Sequence, residues 1–552
     1  MPFPEFTPTV PELLHTAAAR FGSHTYLVAD GERVTYSDVE ARSAALAKGI
    51  LAEGIGKGSR VGILMGNGVD FVIAAFAIAR VGAIFVPVNT FSQTRELGWT
   101  IRHADLTHLV AHPRFLTHDY LERLEAALPG LAEQSGDRPL FLPDAPFLRA
   151  IHVWGSSDRA WSRGDEHDLV AAAGAAGIDD DFLARVEECV VPADPAVIVY
   201  SSGSTADPKG AIHTHGTVVR HSCNLQSGYP MGPDDVMFSS MPFFWIGGLI
   251  TTVFATMHLG ATLVTLSSFD AGTALDLIEQ ERATIATGWP QQGKTMSEHP
   301  SYAGRDLSSL VRTSMPDLVA PDRRPPDVNS TSLGMTEMCS SHTLWDQYDP
   351  LPETRRGTFG KSLPGISHRV VDPDCGAEVP TGVDGELWVR GYALMQGLQR
   401  REREEVFEPD GWYRTGDAGH FDTDGWFYFT GRLGEMIKTP GGANVTPAEV
   451  EGALMAYPDV LEAYVTGIPA AGGGQLVVGA VVPRGGEALD GDELRARLKD
   501  DLSAYKVPKR LWICAKSELP FLQSGKIKKQ ELAELLATRF PGEDDQRKEH
   551  HE

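Results

Sequence analysis

Twice along the chain, a short apolar run, a helix-length apolar stretch and a second short run follow one another. RVGILMGN (60–67) ends in Gly and Asn, VDFVIAAFAIARVG (69–82) is long enough for a buried helix, and AIFVPVN (83–89) is a second strand run. The same order recurs in ATLVTL (261–266), AGTALDLIEQERA (271–283) and TIATGWP (284–290), where Leu275, Leu277 and Ile278 fall on one helical face. Parallel strands need a crossover, and that crossover is right-handed. The pattern therefore predicts doubly wound α/β layers. The most apolar stretch, 71–88, is broken by Arg80 and Gly82, so it reads as a buried helix and a strand rather than a membrane span.

Beyond about residue 365 the texture changes. Residues 368–391 and 419–432 are short strand runs punctuated by Asp-Gly dipeptides, the mark of antiparallel hairpins. From 448 onward come AEVEGALMAYPDV, the alternating runs LEAYVTGIP and LVVGAVVP, an amphipathic helix over 490–504 and the strand RLWICA. Together these predict an α/β protein: a large N-terminal domain (1–431) of doubly wound mixed sheets with a β-rich subdomain, then a small α+β lid (432–540). The charged tail (541–552) is expected to be disordered.

Charge narrows the partners. A net charge of −25 works against nucleic acid, whose phosphates need clustered Lys and Arg, and against anionic membrane surfaces. A local loop of backbone N–H groups can still bind a phosphate. The five cysteines, Cys189, Cys223, Cys339, Cys375 and Cys514, form no C-x-x-C pair and no disulfide framework. The N-terminus has Glu5, four early prolines and no basic n-region, unlike a signal peptide. A cytoplasmic protein with no integral membrane segment is expected.

The strongest local signal is AVIVYSSGSTADPKG (196–210), a β-branched run ending in a Ser-, Thr- and Gly-rich loop with one lysine, Lys209. Small residues let backbone N–H groups face an anion closely, hydroxyls add donors and the lysine adds charge. The spacing is not that of a P-loop. Composition alone leaves a plain surface loop between a strand and a helix open as the alternative.

This loop resembles the signature Y-T-S-G-T-T-G-x-P-K-G of the adenylate-forming superfamily, which includes acyl-CoA synthetases, firefly luciferases and peptide-synthetase adenylation domains. Five further segments resemble the family's motifs in the family's order: SLGMTE (332–337), YRTGD (413–417), GRLGEMIKTPGGANVTPAEVE (431–451), LSAYKVPK (502–509) and LQSGKIKK (522–529).

The resemblance implies ATP, Mg2+ and coenzyme A as the small-molecule partners of a carboxylic acid. The acid attacks the α-phosphate of ATP to give an acyl-adenylate and pyrophosphate, and a thiol then displaces AMP. Bringing two anions together needs fixed positive charge and oriented donors. By resemblance, Ser202, Gly203, Ser204, Thr205 and Lys209 hold the β/γ-phosphates, with Thr205 also near the metal. Leu333, Gly334 and Met335 border the nucleotide, and Thr336 contacts the α-phosphate. Glu337 ligates Mg2+, which prefers oxygen ligands. Asp417 binds the ribose hydroxyls and Arg432 supports them. Lys526 is the mobile catalytic lysine, presented and withdrawn as the lid turns, whereas Lys528 and Lys529 read as solvated. Lys438, Gly441 and Gly442 border the coenzyme A tunnel. Trp245 borders the acyl tunnel, and Gly247 and Gly248 leave room behind it, hinting at an extended or bulky apolar acid.

Four departures stand out. Ala206 replaces a loop glycine, and Leu333 stands where an aromatic residue usually stacks on adenine. Glu435 replaces a hinge Asp in a segment one residue longer, through Pro440. Residues 314–331 are short and proline-rich where a full helix is usual. The expected activity is an ATP-dependent acyl-CoA ligase, with a medium- or long-chain fatty acid first and a steroid side-chain or aryl acid next. An adenylating enzyme that loads a carrier protein in trans and a non-catalytic nucleotide-binding homologue are the alternatives. A homodimer stays open.

Overall fold

The computed structural model describes residues 3–540 except 202–207, 320–323, 325–327, 329, 434–435, 441–443, 446, 471–473, 486–488, 503–505 and 522–526. The expected tail disorder, Ala206 and Glu435 therefore lie outside the described residues. Packing divides the chain into two units: residues 1–367 with 389–413, and 368–388 with 414–552.

Two large sheets lie in the first unit. Seven strands run in the order Gly397–Leu398, Lys209–Thr214, Pro195–Ser201, Ile84–Pro87, Arg60–Leu64, His108–Ala111 and Ala150–Val153. Arg60–Leu64 pairs in parallel with Ile84–Pro87 on one side and His108–Ala111 on the other. The crossovers are the helices Val69–Arg80 and Thr94–His103, so the first strand–helix–strand rhythm is a true parallel unit. The second rhythm builds the other sheet, ordered Arg312–Thr313, Ile285–Thr287, Val236–Ser239, Thr262–Thr265, Thr25–Ala29 and Glu32–Thr35. Its helix, Ala271–Gln280, starts at Asp270, whose carboxylate accepts the Thr273 N–H at 2.8 Å. Leu275 and Ile278 are buried, while Leu277 is half-buried at the edge of the same core.

All of Val69–Arg80 is buried except Asp70. A helix apolar all round belongs in the middle of a layered fold. Burying Phe71, Ile73, Phe76 and Ile78 contributes about 1.5–3 kcal/mol each, enough to carry one buried guanidinium if that charge is matched. It is matched. Arg80 donates from Nε to Glu187, from Nη2 to Glu40 at 2.9 Å, and from Nη1 to the Ser43 hydroxyl and the Glu40 carbonyl, both at 3.0 Å. His15 lies 2.9 Å from Glu187 and 3.5 Å from Glu40.

The hydrogen bond to Glu187, then that to Glu40, lifts the His15 pKa from 6.5 to about 9. Its hydrogen bond with His15 is the main cause that lowers Glu40 from 4.5 to about 2. The signs are opposite. His15 contributes stability fully below pH 6.5 and loses it as pH rises through 9, and Glu40 contributes above pH 4.5 and loses it as pH falls toward 2. Thermal stability should therefore decline from pH 6.5 to 9.5, and His15→Gln should flatten that slope. An unchanged slope would remove His15 from the account.

After Arg312 the described residues make short 3-10 turns, Pro316–Leu318, Thr336–Met338 and Glu353–Arg355, and no α-helix before Arg403, in keeping with the prolines of 314–331. No helix among the described residues is long and apolar enough to cross a membrane. All five cysteines are free thiols.

The second unit carries the hairpins. Its four-stranded sheet orders Ile366–Val371, Gly385–Gly391, Tyr413–Phe421 and Phe427–Arg432. The turn at Asp422 closes with Gly425 at φ 80°, a conformation glycine adopts without strain. A second sheet, Val460–Pro469, Gln475–Pro483 and Arg510–Ile513, packs with the helices Pro447–Met455, Gly491–Asp501 and Lys529–Arg539. The packing unit thus includes the hairpin sheet as well as the α+β fold that follows residue 432. Lys529 differs from expectation. Its ammonium donates to Glu451 and, at 2.9 Å, to the Val465 carbonyl, so it ties the helix start to the sheet, whereas Lys528 pairs with Glu531 in the open.

Candidate active site

The strands on either side of the Ser/Thr/Gly segment, Pro195–Ser201 and Lys209–Thr214, are antiparallel neighbours with Lys209 opposite Ser201, so the element that follows the segment is a strand and not a helix. Ser202, Gly203, Ser204 and Thr205 lie outside the described residues. Lys209, half-buried, opens the returning strand. Leu333–Met335 is a short strand paired with Ser340–Leu344, and the 3-10 turn Thr336–Met338 connects the two. Gly334 lies flat against its partner strand, since a Cβ there would meet the Ser340 carbonyl at 3.1 Å.

This turn packs against both Pro195–Ser201 and Lys209–Thr214, which brings Thr336 and Glu337 to the hairpin that carries the Ser/Thr/Gly loop. Three contacts from elsewhere in the first unit fix it. His213 Nε2 lies 2.7 Å from the Thr336 carbonyl, the Met395 N–H donates to the Glu337 carbonyl at 2.8 Å, and the Tyr413 hydroxyl donates to the Glu337 carboxylate at 3.4 Å. Glu337 is half-buried and offers hard oxygen donors, which suits Mg2+. No group of three or more His, Cys, Asp or Glu able to hold a metal exists among the described residues. A Mg2+ here would therefore take most of its remaining ligands from phosphate oxygens and water.

Trp245 follows the strand Val236–Ser239. Its ring meets Trp289 edge-on, with centroids 5.5 Å apart, and Phe244 at 5.2 Å. Trp289 is 39% exposed. The glycines behind do not open space. A Cβ on Gly248 would lie 2.1 Å from the Pro242 carbonyl oxygen, and one on Gly247 would lie 3.0 Å from Met241 Cε. Gly248 is glycine because the backbone passes against it.

In the second unit Asp417 and Arg432 are cross-strand partners, with Nε 2.7 Å from the carboxylate. Asp417 is almost wholly buried while half of the Arg432 side chain is exposed. The Asp417 N–H donates to the Thr415 hydroxyl at 3.0 Å, and that hydroxyl donates to the Leu387 carbonyl at 2.6 Å. Arg432 also donates to the Thr415 carbonyl at 3.3 Å. A carboxylate held in this way keeps a defined orientation for hydroxyl donors. Lys438 lies on the short strand Ile437–Lys438, its side chain outside the described residues, as are Gly441, Gly442 and Lys526.

His213 and Met395 escape the motif reading, and Tyr413, the first residue of YRTGD, is given no role by it. His213 shares strand parity with Lys209, so both fall on one face.

The AMP-binding enzyme family model matches residues 14–398, and the model for its C-terminal domain matches residues 449–526. The chain belongs to the AMP-binding enzyme family. Among its relatives, a feruloyl-CoA synthase of Amycolatopsis sp. is 31% identical over 533 residues, covering 94% of this chain and 95% of the relative. An indoleacetate–CoA ligase of Aromatoleum aromaticum is 30% identical over 513 residues, covering 92% and 94%. The solved structure of ATP-bound MatB from Rhodopseudomonas palustris shares the fold, with a TM-score of 0.77 at 24% identity, over 97% of this chain and 100% of that one.

Proposed function

We propose that this chain is an ATP-dependent acyl-CoA ligase whose acid is a compact aryl or arylalkanoic acid. The observation that carries the ligase is the Thr336–Glu337 turn, held by three contacts against the hairpin that bears Lys209. Lys209 and the loop before it orient the triphosphate, Thr336 faces the α-phosphate, and Asp417 with Arg432 receives the ribose. Glu337 holds Mg2+, which neutralises charge where acid and nucleotide anions meet. The lid, residues 432–540, brings Lys526 to the first half-reaction and removes it for the second, in which coenzyme A enters past Lys438, Gly441 and Gly442.

Support for the acid class comes from the wall beside Trp245. Two tryptophans set edge to face form an aromatic surface. Gly248 adds no depth behind it, because the Pro242 backbone fills that position. Relatives named for ferulate and indoleacetate support the same class. A medium-chain fatty acid is the second reading, favoured by the apolar segment after Trp245, in which Leu249, Ile250, Val253 and Phe254 are buried.

Pyrophosphate release with ATP and Mg2+, across aryl, arylacetic, steroid and fatty acids, each with and without coenzyme A, tests both parts. Release should depend on the acid, rise with coenzyme A and yield thioester, with kcat/KM about tenfold or more higher for aryl than for fatty acids. Preference for a fatty acid would overturn the acid class. Release without thioester would point to a carrier-protein acceptor.

A further inference from the structure

We infer that His213 is a positioning residue for adenylation, a buried strut that holds the Thr336–Glu337 turn in its working shape; this rests on the function proposed above. His213 is fully buried on the strand Lys209–Thr214, on the same face as Lys209. Its Nε2 lies 2.7 Å from the Thr336 carbonyl. A carbonyl only accepts, so Nε2 must carry the hydrogen, and the ring is the Nε2–H tautomer. Burial pushes its pKa down to about 4, which keeps the ring neutral near pH 7. Its other nitrogen, Nδ1, has no partner among the described residues. The ring thus makes one directed bond, and makes it to the turn.

The turn needs such a strut. Cys339 and Ser340, directly after it, have φ of 60° and 135°. Two successive non-glycine residues in that region cost on the order of 1–3 kcal/mol each and persist only where their surroundings over-determine them. The Thr336 carbonyl accepts from the Cys339 N–H at 3.1 Å as well as from His213, so the histidine bonds the atom that closes the strained turn. Without it, Thr336 and Glu337 can relax away from the hairpin. Misplacing a catalytic group by about 1 Å can cost 100-fold in rate.

The test compares His213→Leu, which removes the donor, with His213→Gln, whose amide can restore it. Mg·ATP binding, pyrophosphate release and thioester formation from supplied acyl-adenylate are measured on each, with thermal melting as the check on folding. His213→Leu should weaken Mg·ATP binding or slow adenylation by about 10- to 100-fold, as for loss of a group that orients a ligand, with KM for the acid within about threefold. Thioester formation from the adenylate should change little, and His213→Gln should recover most of the loss. A folded His213→Leu protein that binds and adenylates like wild type overturns the inference alone. So does equal loss in both half-reactions without rescue by glutamine, which is a plain packing defect. A wild-type protein that neither binds Mg·ATP nor releases pyrophosphate overturns the inference and the proposed function together.

Discussion

Replacing Lys526 by alanine should slow acyl-adenylate formation by about two to three orders of magnitude and leave thioester formation from supplied acyl-adenylate within a few-fold of wild type. The first half-reaction drives a carboxylate against a phosphate and must offset charge that grows in the transition state. A single oriented donor at such a centre is worth about 2.7–4 kcal/mol, or 100- to 1000-fold. In the second half-reaction a thiol attacks a neutral-headed acyl group and AMP departs. A lysine withdrawn with the lid has no part in that step. Lys526 closes the segment matched by the C-terminal family model, 449–526. Lys526→Arg should recover little, since a planar fork cannot take the place of a compact ammonium. Equal loss in both half-reactions would end the account in which the lid turns between them.

What the sequence makes legible is local or periodic. The segments 60–89 and 261–290 announce their strands and helices because each element's apolar period is contained within it. The hairpin at Lys209 is harder. KGAIHT has only two apolar side chains to mark it as a strand, and its place follows from pairing with Pro195–Ser201. Gly248 shows a second limit, since a glycine reads the same whether it makes room or lets backbone approach, and here it does the latter. Lys529 shows a third. On a charged segment it reads as solvated, yet Glu451, 78 residues earlier, makes it structural. The family resemblance assigns Asp417 and Arg432 to one task, and the antiparallel register sets them opposite one another. The contacts that hold the Thr336–Glu337 turn, by contrast, come from distant segments, at His213, Met395 and Tyr413.

Arg80 makes the same point with the largest effect on stability. In the sequence it only interrupts an apolar run. In the fold it is 2% exposed at the last turn of a buried helix, where the helix dipole favours a cation. Its partners, Glu40 and Glu187, lie 40 and 107 residues away along the chain. Arg80→Ala should destabilise the first unit by about 3–4 kcal/mol, because it leaves Glu187, in a dry site, to His15 without the guanidinium and takes the Nη1 donor from the Ser43 hydroxyl. With two packing units, one global unfolding curve is the wrong gauge. Hydrogen exchange of the Val69–Arg80 amides should instead accelerate by about two to three orders of magnitude. The cost belongs to the charge left with half its compensation, not to the lost pair. Arg80→Met combined with Glu40→Met and Glu187→Leu should therefore recover most of the stability, since buried ion clusters exchanged whole for apolar side chains of similar volume are often neutral. A triple variant as unstable as Arg80→Ala would show instead that the hydrogen bonds themselves hold the three helices, 36–52, 69–80 and 180–188, in register.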